Sequence, residues 1–157
     1  MRNLVAACLV LAASIAQADS SVPQPGSASA LLASLERTAC YGRCPIYTVT
    51  VLRDGTVLWE GRRFVKVTGK ATAKLPAATV TALADAFKKA GFFAFADRYE
   101  RYDITDHPSA LTSYSDGTRN KTVHHYHGDQ SAPAALDELE RRIDELVGTA
   151  RWIGKER

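Results

Sequence analysis

The chain has 157 residues, with 20 Lys and Arg against 17 Asp and Glu for a formal net charge of +3, and 46% of its residues are hydrophobic. That length supports one domain with an ordinary core. The near balance of charge excludes nucleic acid as a partner, because no Lys/Arg block is long enough to make a basic patch; Arg62-Arg63 with Lys66 reads as a solvated strand face.

Residues 1–18 have the grammar of a secretory signal peptide: Arg2 supplies the positive end, Leu4 to Ile15 is almost wholly apolar, and Ala16-Gln17-Ala18 is a small-x-small cleavage site. A periplasmic or secreted location is expected. Val5-Ala6-Ala7-Cys8 superficially resembles a lipoprotein box, but too few apolar residues precede Cys8 to form the hydrophobic region that such a signal needs. The apolar run is too short to span a bilayer and no later segment is longer, so no stable membrane span is expected. Residues 19–30, with Pro23, Pro25 and Gly26, read as a flexible linker, and 31–157 as a single domain.

Leu31 to Thr38 fits a strand or a short helix, and a strand is favoured because it runs directly into Cys40-Tyr41-Gly42-Arg43-Cys44-Pro45. Two cysteines four apart, in a chain bound for an oxidising compartment, are expected to be bridged. On the chain-entropy model so short a ring contributes about 2 kcal/mol or less. Gly42 is expected to supply a positive φ for the turn, and Pro45 to launch a strand.

From Ile46 to Leu52 apolar and Thr residues alternate with a period of two, Asp54-Gly55 suits a type I′ hairpin turn, and the return strand runs from Val57 to about Val67 with a bulge or bend at Gly61. Lys70 to Leu75 extends that strand or adds another. Leu75-Pro76 opens a helix whose Val80, Leu83, Ala84, Phe87 and Ala90 share a face, and Gly91 closes it. Phe92, Phe93 and Phe95 read as core plugs rather than a ligand-stacking box. Ala96 to Ser109 is a long polar loop. A second hairpin turns at Asp116-Gly117, between strands Ala110 to Ser115 and Thr118 to His127. A second helix runs from about Pro133 to Val147 with Leu136, Leu139, Ile143, Leu146 and Val147 inward, and Trp152 and Ile153 pack back onto the core. The expected fold class is therefore α+β: a two-layer sandwich in hairpin-helix-hairpin-helix order, with an antiparallel sheet carrying two helices on one face and the other face partly open.

The densest chemistry is His124-His125-Tyr126-His127. On a strand His125 and His127 share one face with Val123, so two imidazoles could hold Zn²⁺ or Cu²⁺ if a third ligand came from elsewhere, with Asp103, Asp106 and His107 of the long loop as the suppliers. The spacing matches no strong metal motif, and the alternative is that these histidines cover a sheet edge. A redox role for Cys40 and Cys44 is opposed by three intervening residues and by a following strand rather than a helix. The serines have no elbow glycines around them, so no hydrolase triad is read.

Arg37-Thr38-Ala39-Cys40-Tyr41-Gly42-Arg43-Cys44-Pro45-Ile46-Tyr47, with Asp54-Gly55-Thr56, Glu60-Gly61, the Tyr102 to Pro108 loop, Lys121-Thr122-Val123, Ala132-Pro133 and Trp152-Ile153, resembles a bacterial family, domain of unknown function 6438. The resemblance implies membership and carries no catalytic residue over. The leading expectation is a secreted binding module without a cofactor, holding an unknown protein or small ligand through Tyr41, Arg43, Asp103, Asp106 and His107 around a structural disulfide. A metal-binding protein or metal-dependent enzyme using His125 and His127 comes second, and a thiol-disulfide oxidoreductase third.

Overall fold

A computed structural model describes residues 30–154, so the expected signal peptide and nearly all of the expected linker lie outside the described residues. Among the described residues seven strands form one sheet: β1 (Leu31–Arg37), β2 (Ile46–Leu52), β3 (Thr56–Arg63), β4 (Gly69–Lys74), β5 (Arg98–Tyr99), β6 (Ser109–Ser115) and β7 (Asn120–Tyr126). The helices are α1 (Ala77–Ala90), α2 (Ala134–Val147) and the single turn α3 (Ala150–Ile153), with a 3₁₀ turn at Phe92–Ala94. The spatial order is β4-β3-β2-β1-β6-β7-β5, every pairing being antiparallel except the parallel contact of β5 with β7.

The class is α+β, but the sheet is larger than two hairpins and the element order differs from the one expected. Four strands precede α1, because β1 pairs with β2 and residues 69–74 make a strand of their own. The two-residue β5 forms within the segment expected to be wholly loop, since parallel pairing with His124 and His125 satisfies its backbone. β1 takes the central place, with Leu35 opposite Val49 on one side and Thr112 on the other. Leu35, Val49, Trp59, Thr112 and Val123 are therefore in register on one buried face.

Both long helices cover that face. Phe87 of α1 stacks on Tyr114 of β6 at 4.3 Å between ring centroids, and Tyr47 of β2 reaches Asp144 of α2. Each helix begins after a proline, Pro76 or Pro133, and ends at a left-handed glycine, Gly91 (φ 68°) or Gly148 (φ 72°), as their positions predict. Trp152 packs back as expected, closing a stack of Tyr47, Trp59 and Trp152 with centroid spacings of 4.7 and 5.1 Å. Neither hairpin turn is type I′, which needs two positive φ values: Gly55 and Gly117 have positive φ, but Asp54 and Asp116 do not. In the first, the Gly55 N–H bonds to Leu52 O at 2.9 Å, the signature of a type I turn followed by a left-handed glycine.

Cys40 and Cys44 are disulfide-bonded, with Cα atoms 5.8 Å apart. The expectation for Gly42 is corrected: its φ lies outside the left-handed region, because the turn is made at Tyr41 and closed by the Gly42 N–H on Cys40 O at 2.9 Å. Gly61 is a glycine that the fold does require. It sits beside a bulge in the β2–β3 ladder, where Ile46 faces Arg63 and Tyr47 faces Gly61. A Cβ there would run into the Val67 carbonyl and come within 2.9 Å of Trp59 Nε1, which donates to that same carbonyl. Gly61→Ala is accordingly expected to lower stability by about 2–4 kcal/mol in denaturant unfolding, whereas Gly42→Ala shifts it by no more than about 0.5 kcal/mol.

Candidate metal centre

The inward faces of β1, β2 and β7 deliver polar groups to α2 at one end of the sheet. Arg37 closes β1 and Tyr47 lies near the start of β2, paired with it across the ladder, while His125 lies near the end of β7, opposite Ala110. His127 follows two residues on, its N–H bonded to Pro108 O at 3.0 Å, which continues the strand geometry and keeps both imidazoles on one side. Their rings stack at 4.4 Å. From the helix, Asp137, Glu140 and Asp144 stand three and four residues apart, the spacing that brings side chains to one face.

Glu140 is the centre of the arrangement and is fully buried. Its Oε1 lies 2.9 Å from His125 Nδ1, and its Oε2 lies 3.1 Å from His127 Nε2 and 3.3 Å from Arg37 Nη1. Burial alone would raise its pKa, but the bonds from His125 and His127, with the charges of His125 and Arg37, outweigh it and hold the carboxyl down at about 2. As an ionised carboxylate Glu140 can only accept, so protons on His125 Nδ1 and His127 Nε2 point at it. His127 Nδ1 lies 3.4 Å from Asp137 Oδ1.

A second carboxylate stabilises the same corner. Asp144 Oδ2 accepts from Arg37 Nη2 at 3.0 Å and Nε at 3.3 Å; Oδ1 accepts from the Tyr47 hydroxyl at 2.6 Å and the Thr149 hydroxyl at 2.8 Å. Burial and the Asp144 charge push the Tyr47 phenol well above its ordinary range, so it stays a donor. Burial works to lower the Arg37 pKa, but Asp144, Tyr47 and Glu140 reverse that and fix the guanidinium as a permanent cation.

His125, His127, Asp137 and Glu140 each offer one ligand atom, and these atoms lie within 4.8 Å of one another. Exposure grades from Glu140 at 0% and His125 at 2% through His127 at 22% to Asp137 at 50% of the side chain, so the cluster is buried at one side and open to solvent at the other. The loop acids do not complete it. Asp103 pairs with Arg101 and accepts from the Gln130 N–H, while Asp106 accepts from Thr105; its carbonyl receives the Tyr41 N–H at 3.1 Å. His107 donates its backbone N–H to the Tyr126 hydroxyl. The long loop thus borders β7 through Tyr126 but sends no carboxylate to the histidines in this cluster. His124 faces the other way, 3.5 Å from Glu100.

The family model described as Domain of unknown function (DUF6438) matches residues 32–147. The chain belongs to this family. No curated protein and no solved structure matches it. The DUF6438 match spans the disulfide pair and all of Arg37, Tyr47, His125, His127, Asp137, Glu140 and Asp144.

Sequence reasoning missed Glu140 and Asp144 because acidic residues on a helix read as its solvent face. Both interrupt the stripe Leu136, Leu139, Ile143, Val147, which is the signal that was there. Arg37 carried one as well, being two residues from buried Leu35 on the same strand face.

The folded-state pKa of Glu140, about 2, lies below the 4.5 of a free glutamate, so its ionisation contributes stability that is complete above pH 4.5 and lost as pH falls toward 2. Glu140→Gln, which leaves Arg37 and the histidines facing a neutral group, is expected to cost about 3 kcal/mol at pH 7. The gap from the parent should close between pH 4.5 and 2 in urea titrations; a constant gap would show that ionised Glu140 is not what holds the layers together.

Proposed function

We propose that this is a secreted or periplasmic domain that binds one divalent transition-metal ion, Zn²⁺ or Cu²⁺, through His125, His127, Glu140 and Asp137. The observation that carries the reading is the convergence of two imidazoles, from β7 and the residue just after it, with two carboxylates from one helix turn, within 4.8 Å. A mixed nitrogen and oxygen donor set of four suits tetrahedral zinc, whose ligands stand about 2.0–2.2 Å from the metal, and imidazole favours copper still more strongly. Charge supports the same conclusion: with neutral imidazoles, Glu140, Asp137 and Asp144 outnumber Arg37 by two negative charges, the amount that a divalent cation supplies. The ion would take one nitrogen of each neutral imidazole, and the ring proton would then sit on the other nitrogen.

The structural disulfide has a separate place in this reading. It shapes the β1–β2 loop, which lies against the long loop through the Tyr41 to Asp106 bond, and the large hydrophobic residues exposed there are Tyr41 at 89%, Tyr102 at 73% and Ile104 at 45%. That apolar exposure favours a second reading, in which the same end of the sheet also docks a protein or small ligand through Tyr41 and Arg43.

Protein purified from periplasm without an affinity tag or chelator is expected to contain one equivalent of zinc or copper by elemental analysis, and to take up one equivalent of zinc in calorimetric titration. His127→Ala and Asp137→Ala, both at the solvent side, should weaken binding by at least about tenfold and leave the fold intact. Zinc at a hundredfold excess over its dissociation constant should stabilise the parent by about 2.7 kcal/mol. A parent that takes up neither metal removes the reading.

A further inference from the structure

Arg37 stands where a metal site would not ordinarily tolerate a cation. Its Nη1 lies 3.3 Å from Glu140 Oε2 and 3.3 Å from His127 Nε2, atoms of two residues that would hold the metal. A guanidinium cannot shed its charge to make room. It does have somewhere else to go, because Nη2 and Nε are already held by Asp144 Oδ2 at 3.0 and 3.3 Å. Asp144 is in turn fixed on its other oxygen by Tyr47 and Thr149.

We propose that Arg37 is a resident cation that occupies the site in the metal-free protein and is displaced from Glu140 by the incoming metal, which makes binding reversible and the site an exchanging one. This rests on the metal-binding reading. In the metal-free state Arg37 and the two histidines compensate Glu140, so the domain stays folded without metal, unlike small domains whose structural zinc supplies the folding energy. On metal binding Nη1 leaves Glu140 Oε2 while Nε and Nη2 keep Asp144. The guanidinium then remains beside the bound ion as a like charge, and that repulsion weakens the complex. Ligand geometry gives the site its selectivity for a transition metal, and Arg37 sets how easily the metal leaves.

Competitive zinc titration against a chromophoric chelator, at fixed pH and ionic strength, tests this on the parent, Arg37→Gln and Arg37→Lys. Both variants are expected to bind zinc more tightly, Arg37→Gln by at least about tenfold and Arg37→Lys by less, since an ammonium keeps a positive charge beside the ion without the guanidinium's fork. Zinc release to excess chelator should slow by a similar factor. A parent that binds, with folded variants equal to it or weaker, overturns the displacement and leaves the metal reading standing. Variants that bind where the parent does not would show that Arg37 blocks the site without being displaced, which overturns the proposal and sinks the metal reading for the natural protein. Failure of all three to bind sinks both. Should the variants not fold, the parent decides alone: saturating zinc must shift the Arg37 guanidinium nitrogen resonances, and unchanged resonances would overturn the proposal.

Discussion

A carboxylate with no exposed surface has to be compensated or neutralised, and the rest of this molecule is arranged around compensating Glu140. Its partners come from separated parts of the chain: Arg37 from the first strand of the domain, His125 and His127 from the last strand and the residues after it. The two ends of the sheet sequence are thereby tied to one turn of α2. An apolar helix could have rested on this sheet in several registers, since hydrophobic contact is non-directional. Charge-assisted bonds of defined length admit far fewer.

The aromatic stack supports the corner from the other side. Tyr47 packs its ring on Trp59 and Trp59 on Trp152, so the hydroxyl that reaches Asp144 is held by two indoles. Trp59 is itself positioned by its bond to Val67 O, and Val67 N by Trp152 O, at 2.9 Å each. The C-terminal turn therefore closes a loop of contacts through β3 back to the site. Gly61 matters here for a reason that no propensity scale contains, namely how closely the 65–67 segment approaches β3.

Periodicity made most of the architecture legible. β2 alternates so cleanly that its buried set, Tyr47, Val49 and Val51, follows directly from the period of two, and both long helices stop at the glycines that mark them. Sheet order was not legible, because pairing of β1 with β6 across a sequence gap is decided by burial of the whole face rather than by local pattern. The shared face of His125 and His127 could be read from strand geometry, but their partners could not. A loop has no period, so the side chains of Asp103, Asp106 and His107 had no readable direction, whereas on α2 the direction was readable and the charge of Glu140 argued against using it.

The histidine–carboxylate cluster and the disulfide share one end of the sheet, and a short run of β7 joins them. Tyr126 and His127 point to opposite sides of this strand end. The Tyr126 hydroxyl donates to Ile104 O at 2.9 Å and accepts the His107 N–H, fastening the long loop, while His127 reaches Glu140 on the other side. The His127 N–H bonds to Pro108 O, so loop and imidazole share a strand-like ladder as well. The long loop in turn holds Tyr41 of the disulfide ring through Asp106. Tyr126 and Pro108 thus attach the long loop next to His127, the more exposed of the two imidazoles and the one Arg37 also contacts. The helix face of β7 is fixed by a buried carboxylate, and its other face by the Tyr126 hydroxyl on the Ile104 carbonyl and by the Tyr126 ring against Tyr102 at 4.7 Å, so one short stretch of strand carries both attachments.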